Sequence, residues 1–133
     1  MDHNSCVTIQ KEWDIVAARQ LGRDVSKGVG FGTVDQARIA TAISELARNI
    51  YLYAGNGKVC FEVIDNMERK GMCMIATDTG PGIKNLSQVM EDGFSTMGGL
   101  GAGLPGVKRL MDEFDIQSEV GQGTRISATK WLR

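Results

Sequence analysis

The sequence predicts an α+β fold in which helices cover one face of a mainly antiparallel sheet, a two-layer sandwich. Three observations carry that prediction. Apolar residues recur at helical spacing through two long N-terminal stretches, β-rich runs then come in two pairs joined by turn formers, and a glycine-rich segment separates those pairs.

Taken in order, residues 5–11 alternate Val7 and Ile9 against Cys6, Thr8 and Gln10, which predicts a short strand with one buried face. From Asp14 onward, Ile15, Val16, Ala18, Leu21, Val25 and Val29 return at helical spacing, and Gly28 and Gly30 supply backbone on which a helix ends. Thr33 followed three residues later by Gln36 has the form of a capping box. The apolar stripe Ile39, Ile43, Leu46, Ile50 and Tyr53 then predicts one long helix over 34–54, broken by Gly55-Asn56-Gly57.

Two β-rich runs, 58–64 and 72–77, flank a polar turn containing Asn66, Glu68 and Gly71 and predict an antiparallel hairpin. The glycine-rich region runs from Asp78 to Gly106, interrupted by a short helical stretch at 86–92, and a helix over 104–112 follows it. Residues 114–118, the tight turn Gly121-Gln122-Gly123 and residues 124–131 predict a second hairpin.

The chain has 133 residues, the size of one compact domain covering 1–133, and its 42% hydrophobic and 23% charged residues place it far from disordered composition. A net charge of -1 offers no basic field to gather nucleic acid or anionic lipid. No apolar run approaches the roughly 18–20 residues that span a bilayer, and the N-terminal residues lack the regions of a signal peptide, so the expectation is a cytoplasmic protein. Cys6, Cys60 and Cys73 are odd in number and widely spaced, with His3 the one histidine, which predicts neither a disulfide framework nor a zinc site.

Three constellations carry chemistry. Asp78-Thr79-Gly80-Pro81-Gly82 ends an apolar strand, where a carboxylate is held rigidly and two glycines let backbone approach a flat ligand. The same residue types also make an ordinary turn. In Glu45-Leu46-Ala47-Arg48-Asn49 the spacing of four puts a carboxylate and an amide on one helix face, beside the apolar stripe. Asparagine is a mediocre mid-helix residue, which singles out Asn49, whereas a glutamate there is ordinarily a solvated one. Finally, Gly93 to Leu104 can present consecutive backbone N–H groups to an anion and lead into a helix N-terminus. Interleaved Phe94, Leu100 and Leu104 distinguish it from a plain linker. Gly101, Gly103 and Gly106 match a dinucleotide fingerprint in form only, because no strand precedes them and no βαβ unit surrounds them, and no Gly-Lys-Ser or Gly-Lys-Thr makes a Walker loop.

In this order the constellations resemble the GHKL (Bergerat-fold) ATPases, with Glu45 to Asn49 similar to the N box, Asp78 to Gly82 to the first glycine box and Gly99 to Gly103 to the lid box. Gly123-Thr124 looks like the family's last nucleotide motif. The absence of a phosphoacceptor-histidine or transducer module points within the family to the anti-sigma-type serine/threonine kinases.

The resemblance implies a Bergerat fold with a glycine-rich ATP lid, and ATP with Mg²⁺ as cofactors. Asn49 would coordinate the Mg²⁺, Asp78 would accept a hydrogen bond from the adenine amino group with support from Thr124, and Gly80 and Gly82 would make room. Gly98, Gly99, Leu100, Gly101, Ala102, Gly103 and Leu104 would hold the phosphates, and Glu45 would be the general base. The implied activity is phosphorylation of a serine or threonine on STAS-domain antagonist and co-antagonist proteins. Once released, the kinase would bind and activate a PP2C-type phosphatase in a general stress sigma-factor partner-switching pathway. A homodimer is a further partner expectation.

Many relatives carry a histidine shortly after the N-box asparagine, whereas this chain has Tyr51 and Tyr53. The roles of those tyrosines and of Lys108 and Arg109 stay open on sequence. Three alternatives compete with the kinase reading: a binding module in which ATP only sets the lid, an anti-sigma factor that holds a sigma subunit directly, and an interaction protein without nucleotide.

Overall fold

The computed structural model describes residues 4–83, 90 and 103–133. Along the chain run β1 (Asn4–Ile9), α1 (Glu12–Val29), α2 (Thr33–Asn49), a π-helical turn (Ile50–Ala54), β2 (Gly57–Asp65) and β3 (Lys70–Asp78). They are followed by α3 (Gly103–Leu110), β4 (Glu113–Glu119) and β5 (Gly123–Trp131). The five strands form one sheet in the order β1-β2-β3-β5-β4, and every neighbouring pair is antiparallel. This is the α+β architecture that the periodicity predicts.

Local chemistry sets the helix ends. The Asp14 carboxylate accepts the backbone N–H groups of Gln10 and Lys11, each at 2.9 Å, closing the first turn of α1. These two donors hold its carboxyl below the ordinary carboxylate range. Gly30 ends the helix in the left-handed region at φ 116°, its N–H donating to the Lys27 and Ser26 carbonyls. The capping box expected from Thr33 and Gln36 does not form. Gly32 is the extended cap residue and Thr33 already helical, so the Gln36 side chain donates instead to the Phe31 carbonyl at 2.8 Å.

The stripe Ile39, Ile43, Leu46 and Ile50 is fully buried against Val59 and Phe61 of β2, Met72, Met74 and Ala76 of β3, and Ile126 and Ala128 of β5. Lys130 lays its stem in the same layer and donates its ammonium to the Leu110 carbonyl at 2.9 Å. The helix predicted over 34–54 is one continuous rod in place but not in geometry, since its last turn widens to π form. The stretch 86–92 lies outside the described residues apart from Met90.

One expectation is overturned. Cys6 and Cys60 are joined by a disulfide across the β1–β2 ladder, their Cα atoms 4.0 Å apart. They lie 54 residues apart in sequence, and only the register of an edge strand brings them opposite. Cys73 is a free thiol in β3, and its partial burial raises its pKa above the ordinary value. No helix among the described residues is long and apolar enough to cross a membrane.

Candidate functional site

A cavity of about 290 Å³ opens between the C-terminal end of α2 and the end of the sheet. Leu46, Asn49, Ile50, Tyr53 and Ala54 form one wall, and Ala76, Asp78, Thr124 and Ile126 line it from β3 and β5. Pro81, Gly82, Ile83 and Leu104 complete it. The lining is mostly apolar with a few convergent polar groups, the ordinary composition of a small-molecule site.

The π turn shapes the first wall. Gly55 donates its N–H to the Ile50 carbonyl five residues back at 2.9 Å, so the helix gains a residue within its last turn and brings Tyr53 and Ala54 to the cavity. Gly57 stands opposite Asp78 in the β2–β3 register. A Cβ on it would lie 2.8 Å from Ile50 Cγ2 and 3.0 Å from Asp78 Cβ, so the close approach of helix end and strand end requires glycine there.

Asp78 closes β3 with Gly57 on one side and Thr124 on the other. Its Oδ1 accepts the Gly80 N–H at 2.9 Å, which orients the carboxylate. A side chain on Gly80 would meet Ala54 Cβ at 2.6 Å, and Gly82 adopts φ 79°, where a Cβ would run into the Glu119 backbone. The loop is latched to the β4–β5 hairpin by Gly121, whose N–H donates to the Pro81 carbonyl at 2.9 Å.

Ser118 organises the far side, and sequence reasoning missed it. Its Oγ accepts the Ile83 N–H at 2.8 Å, donates to the Gly123 carbonyl at 3.1 Å, and lies 2.8 Å from Thr124 Oγ1. A hydroxyl has one proton, so with that proton on Gly123 the Thr124 hydroxyl must donate to Ser118. The lone pairs of Thr124 then remain as acceptors. Asp78 and Thr124 together offer acceptors, which suits a flat ligand that carries N–H donors. A signal for Ser118 existed: it continues the inward period of Phe114 and Ile116 with a polar residue, next to a glycine turn.

The other predicted residues are less uniformly placed. Asn49 lines the cavity, whereas Glu45 does not; it is 3% exposed and paired with the Arg48 guanidinium at 3.3 Å. Gly98, Gly99, Leu100, Gly101 and Ala102 lie outside the described residues. Gly103 and Leu104 are buried at the start of α3, and Leu104 reaches the cavity. Tyr53 lines it too, while Lys108 and Arg109 border a separate cleft with Pro105, Phe114 and Ile116.

Among the described residues no cluster of three or more histidine, cysteine, aspartate or glutamate side chains would hold a metal by itself. The Asn49 amide oxygen is a hard donor of the kind Mg²⁺ accepts, and that ion usually takes few protein ligands beside phosphate oxygens and waters. The donor set therefore fits a metal that arrives with a polyphosphate.

Residues 34–133 match the family described as histidine kinase-, DNA gyrase B-, and HSP90-like ATPase. The chain is 68% identical over 133 residues, the whole of both chains, to the serine/threonine-protein kinase RsbT of Bacillus subtilis (strain 168). It is 29% identical over 100 residues, 72% of this chain and 70% of the other, to an anti-sigma F factor of Caldanaerobacter subterraneus subsp. tengcongensis. A mycobacterial sensor histidine kinase, MprB, shares the fold with a TM-score of 0.56 at 18% identity, over 98% of each chain. A family match across 34–133 and full-length identity to a kinase agree with the cavity's chemistry: the chain belongs to the histidine kinase-, DNA gyrase B-, and HSP90-like ATPase family.

Proposed function

We propose that this chain, a protein kinase by its full-length likeness to a serine/threonine-protein kinase, transfers the γ-phosphoryl group of ATP to a serine or threonine of STAS-domain antagonist proteins. After release from them it would bind and activate a PP2C-type phosphatase in the cytoplasm. The observation that supports this reading is the pair of acceptors, Asp78 and Thr124, beside Asn49 in one mostly apolar cavity.

In this reading the apolar walls take the adenine, the Asp78 carboxylate and the Thr124 hydroxyl accept from its exocyclic amino group, and the Asn49 amide oxygen faces the phosphates. Bound Mg²⁺ would supply charge neutralisation on the phosphate oxygens. The substrate hydroxyl attacks the γ-phosphorus, its proton passes to the Glu45 carboxylate, and the bond to the ADP oxygen breaks. Backbone N–H groups of the 98–104 segment would hold the phosphates. Arg48 pairs with Glu45 at 3.3 Å and would keep that carboxylate oriented until a hydroxyl arrives.

A second reading draws on one observation: Glu45 does not line the cavity, which suits a nucleotide-gated binding module or an anti-sigma factor. Transfer of label from γ-labelled ATP with Mg²⁺ to STAS-domain proteins separates the two. The Glu45→Gln variant should keep nucleotide binding and lose about 10²–10⁴ in transfer rate. Tight binding of ATP without transfer by the wild type would favour the module, and unchanged turnover in Glu45→Gln would remove that residue from the chemistry.

A further inference from the structure

Three cysteines share the face of the sheet that points away from the helices. Val59 and Phe61 of β2 and Met72 and Met74 of β3 turn into the core, so by the period of two Cys60 and Cys73 turn outward. Cys6, opposite Cys60 on β1, is exposed, and Cys60 itself sits between exposed Lys58 and Glu62. The bond therefore presents its Cys6 side to dissolved thiols. Cys73 stands opposite Glu62, one diagonal away from Cys60. Its raised pKa keeps it a protonated thiol, a poor nucleophile toward the neighbouring bond.

The ladder connects this bond to the cavity. Ile9, on the same strand as Cys6, stands opposite Gly57, Gly57 opposite Asp78, and Asp78 opposite Thr124, one row across four strands. The last two line the cavity. On the reverse side Thr8, Gln10, Gly57 and Asp78 border a shared cleft. Strand β1 is paired on one side only, and such an edge opens more readily than a core strand. The bond also closes the loop that carries α1, α2 and the π turn, and with them Asn49 and Tyr53 of the cavity wall.

We propose that the Cys6–Cys60 pair is a reversible redox site whose state sets the affinity of the cavity for ATP, the disulfide form binding more tightly. In the cytoplasm that the proposed function implies, such a bond forms and breaks rather than persisting as a fixed strut. A low-molecular-weight thiol breaks it in two steps. One thiolate attacks the Cys6 sulfur, the S–S bond cleaves with its electron pair on Cys60, and Cys60 takes up a proton. A second thiolate attacks the mixed disulfide, Cys6 leaves and is protonated in turn, and the two outside thiols finish joined as a disulfide. Loss of the bond lets β1 fray from β2. The Ile9–Gly57 pairing then loosens, and Gly57 no longer holds Asp78 at one position beside Thr124.

The inference rests on the nucleotide reading of the cavity and not on phosphoryl transfer, so none of its readouts is activity. Calorimetric titration of the full chain with ATP and Mg²⁺ should give binding about tenfold weaker in dithiothreitol than after oxidation by diamide. Cys6→Ser and Cys60→Ser should each bind like the reduced protein and ignore reductant, while Cys73→Ser should respond like wild type. Coupling is reciprocal, so saturating ATP should shift the wild-type bond, equilibrated with oxidised and reduced dithiothreitol, toward the disulfide by the same factor. Tenfold corresponds to about 30 mV for two electrons, read by alkylating the free thiols and weighing the protein. That measurement needs no variant to fold. Equal affinity in both states, a thiol equilibrium indifferent to ATP, or a response that follows Cys73 instead of the pair would overturn the inference and leave the nucleotide site standing. Binding of ATP in neither state would overturn the nucleotide reading and the inference with it.

Discussion

Ser118 connects three parts of the cavity through one oxygen: the loop at Ile83, the turn at Gly123 and the Thr124 hydroxyl. Replacing it with alanine strands the Ile83 N–H, which costs about 1–3 kcal/mol where that group is shielded from water. It also frees the Thr124 proton to turn toward the cavity, so an acceptor becomes a donor facing the ligand's own donor. Ser118→Ala should therefore lower the melting temperature and weaken ATP binding about tenfold, read by calorimetric titration; an unchanged affinity would show that Thr124 is not oriented through Ser118. Asp78 and Asn49 stood out in the sequence because each breaks a local rule, a carboxylate ending an apolar strand and an asparagine in a helix, whereas Thr124 came only with the family resemblance; all three line the cavity. Ser118 also interrupts the inward apolar period of β4, but its role rests on contacts with Ile83 and Thr124 that only folding creates, while Arg48 and Glu45, three residues apart on α2, read in sequence as an ordinary solvated helix pair.

At the scale of the elements, the decisive contact is between the end of α2 and the hairpin it leads into. Gly57 lets Ile50 and Asp78 come together, and the nearest atoms include backbone and core side chain, neither of which yields easily. Gly57→Ala should cost about 1–3 kcal/mol in a urea titration and weaken nucleotide binding as well. Gly28, which has nothing within 4 Å of where a Cβ would go, should instead gain about 0.5–1 kcal/mol on conversion to alanine within α1. If both substitutions behaved alike, packing at Gly57 would not be what selects glycine. At the other end of α1, Asp14 has its folded pKa lowered from the ordinary 3.8 by the N–H groups of Gln10 and Lys11. Its contribution is thus present above the unfolded value and is lost as pH falls through the folded one. The gap in melting temperature between wild type and Asp14→Ala should be full at pH 7 and close below about pH 4. Periodicity located these helices and both hairpins well, since burial of one face dictates it. The π turn escaped because the α2 stripe runs through it with its apolar spacing unbroken, and the Gly32 cap because Thr33 and Gln36 have the form of a capping box.

For the molecule as a whole, the α+β class and the antiparallel pairing were readable from the chain, while strand order and the disulfide were not. Hairpin neighbours announce themselves by turns, but the position of β1 beside β2 depends on closing a loop that contains both α1 and α2. That closure is an entropic cost which the Cys6–Cys60 bond moves into the unfolded chain by cross-linking residues 54 apart. Reduction should accordingly remove about 2–4 kcal/mol, seen as a lower urea midpoint in dithiothreitol, with Cys60→Ser giving the same value and no further response to reductant. The slope of the titration decides what happens to the edge strand. An unchanged slope means that β1 stays paired through its ladder to β2 and its buried Ile9, and the reduced protein still unfolds as one unit. A smaller slope, or a separate early transition, means that β1 leaves the sheet when the bond is cut, and β2 becomes the edge strand, with exposed Lys58 and Glu62 to guard it.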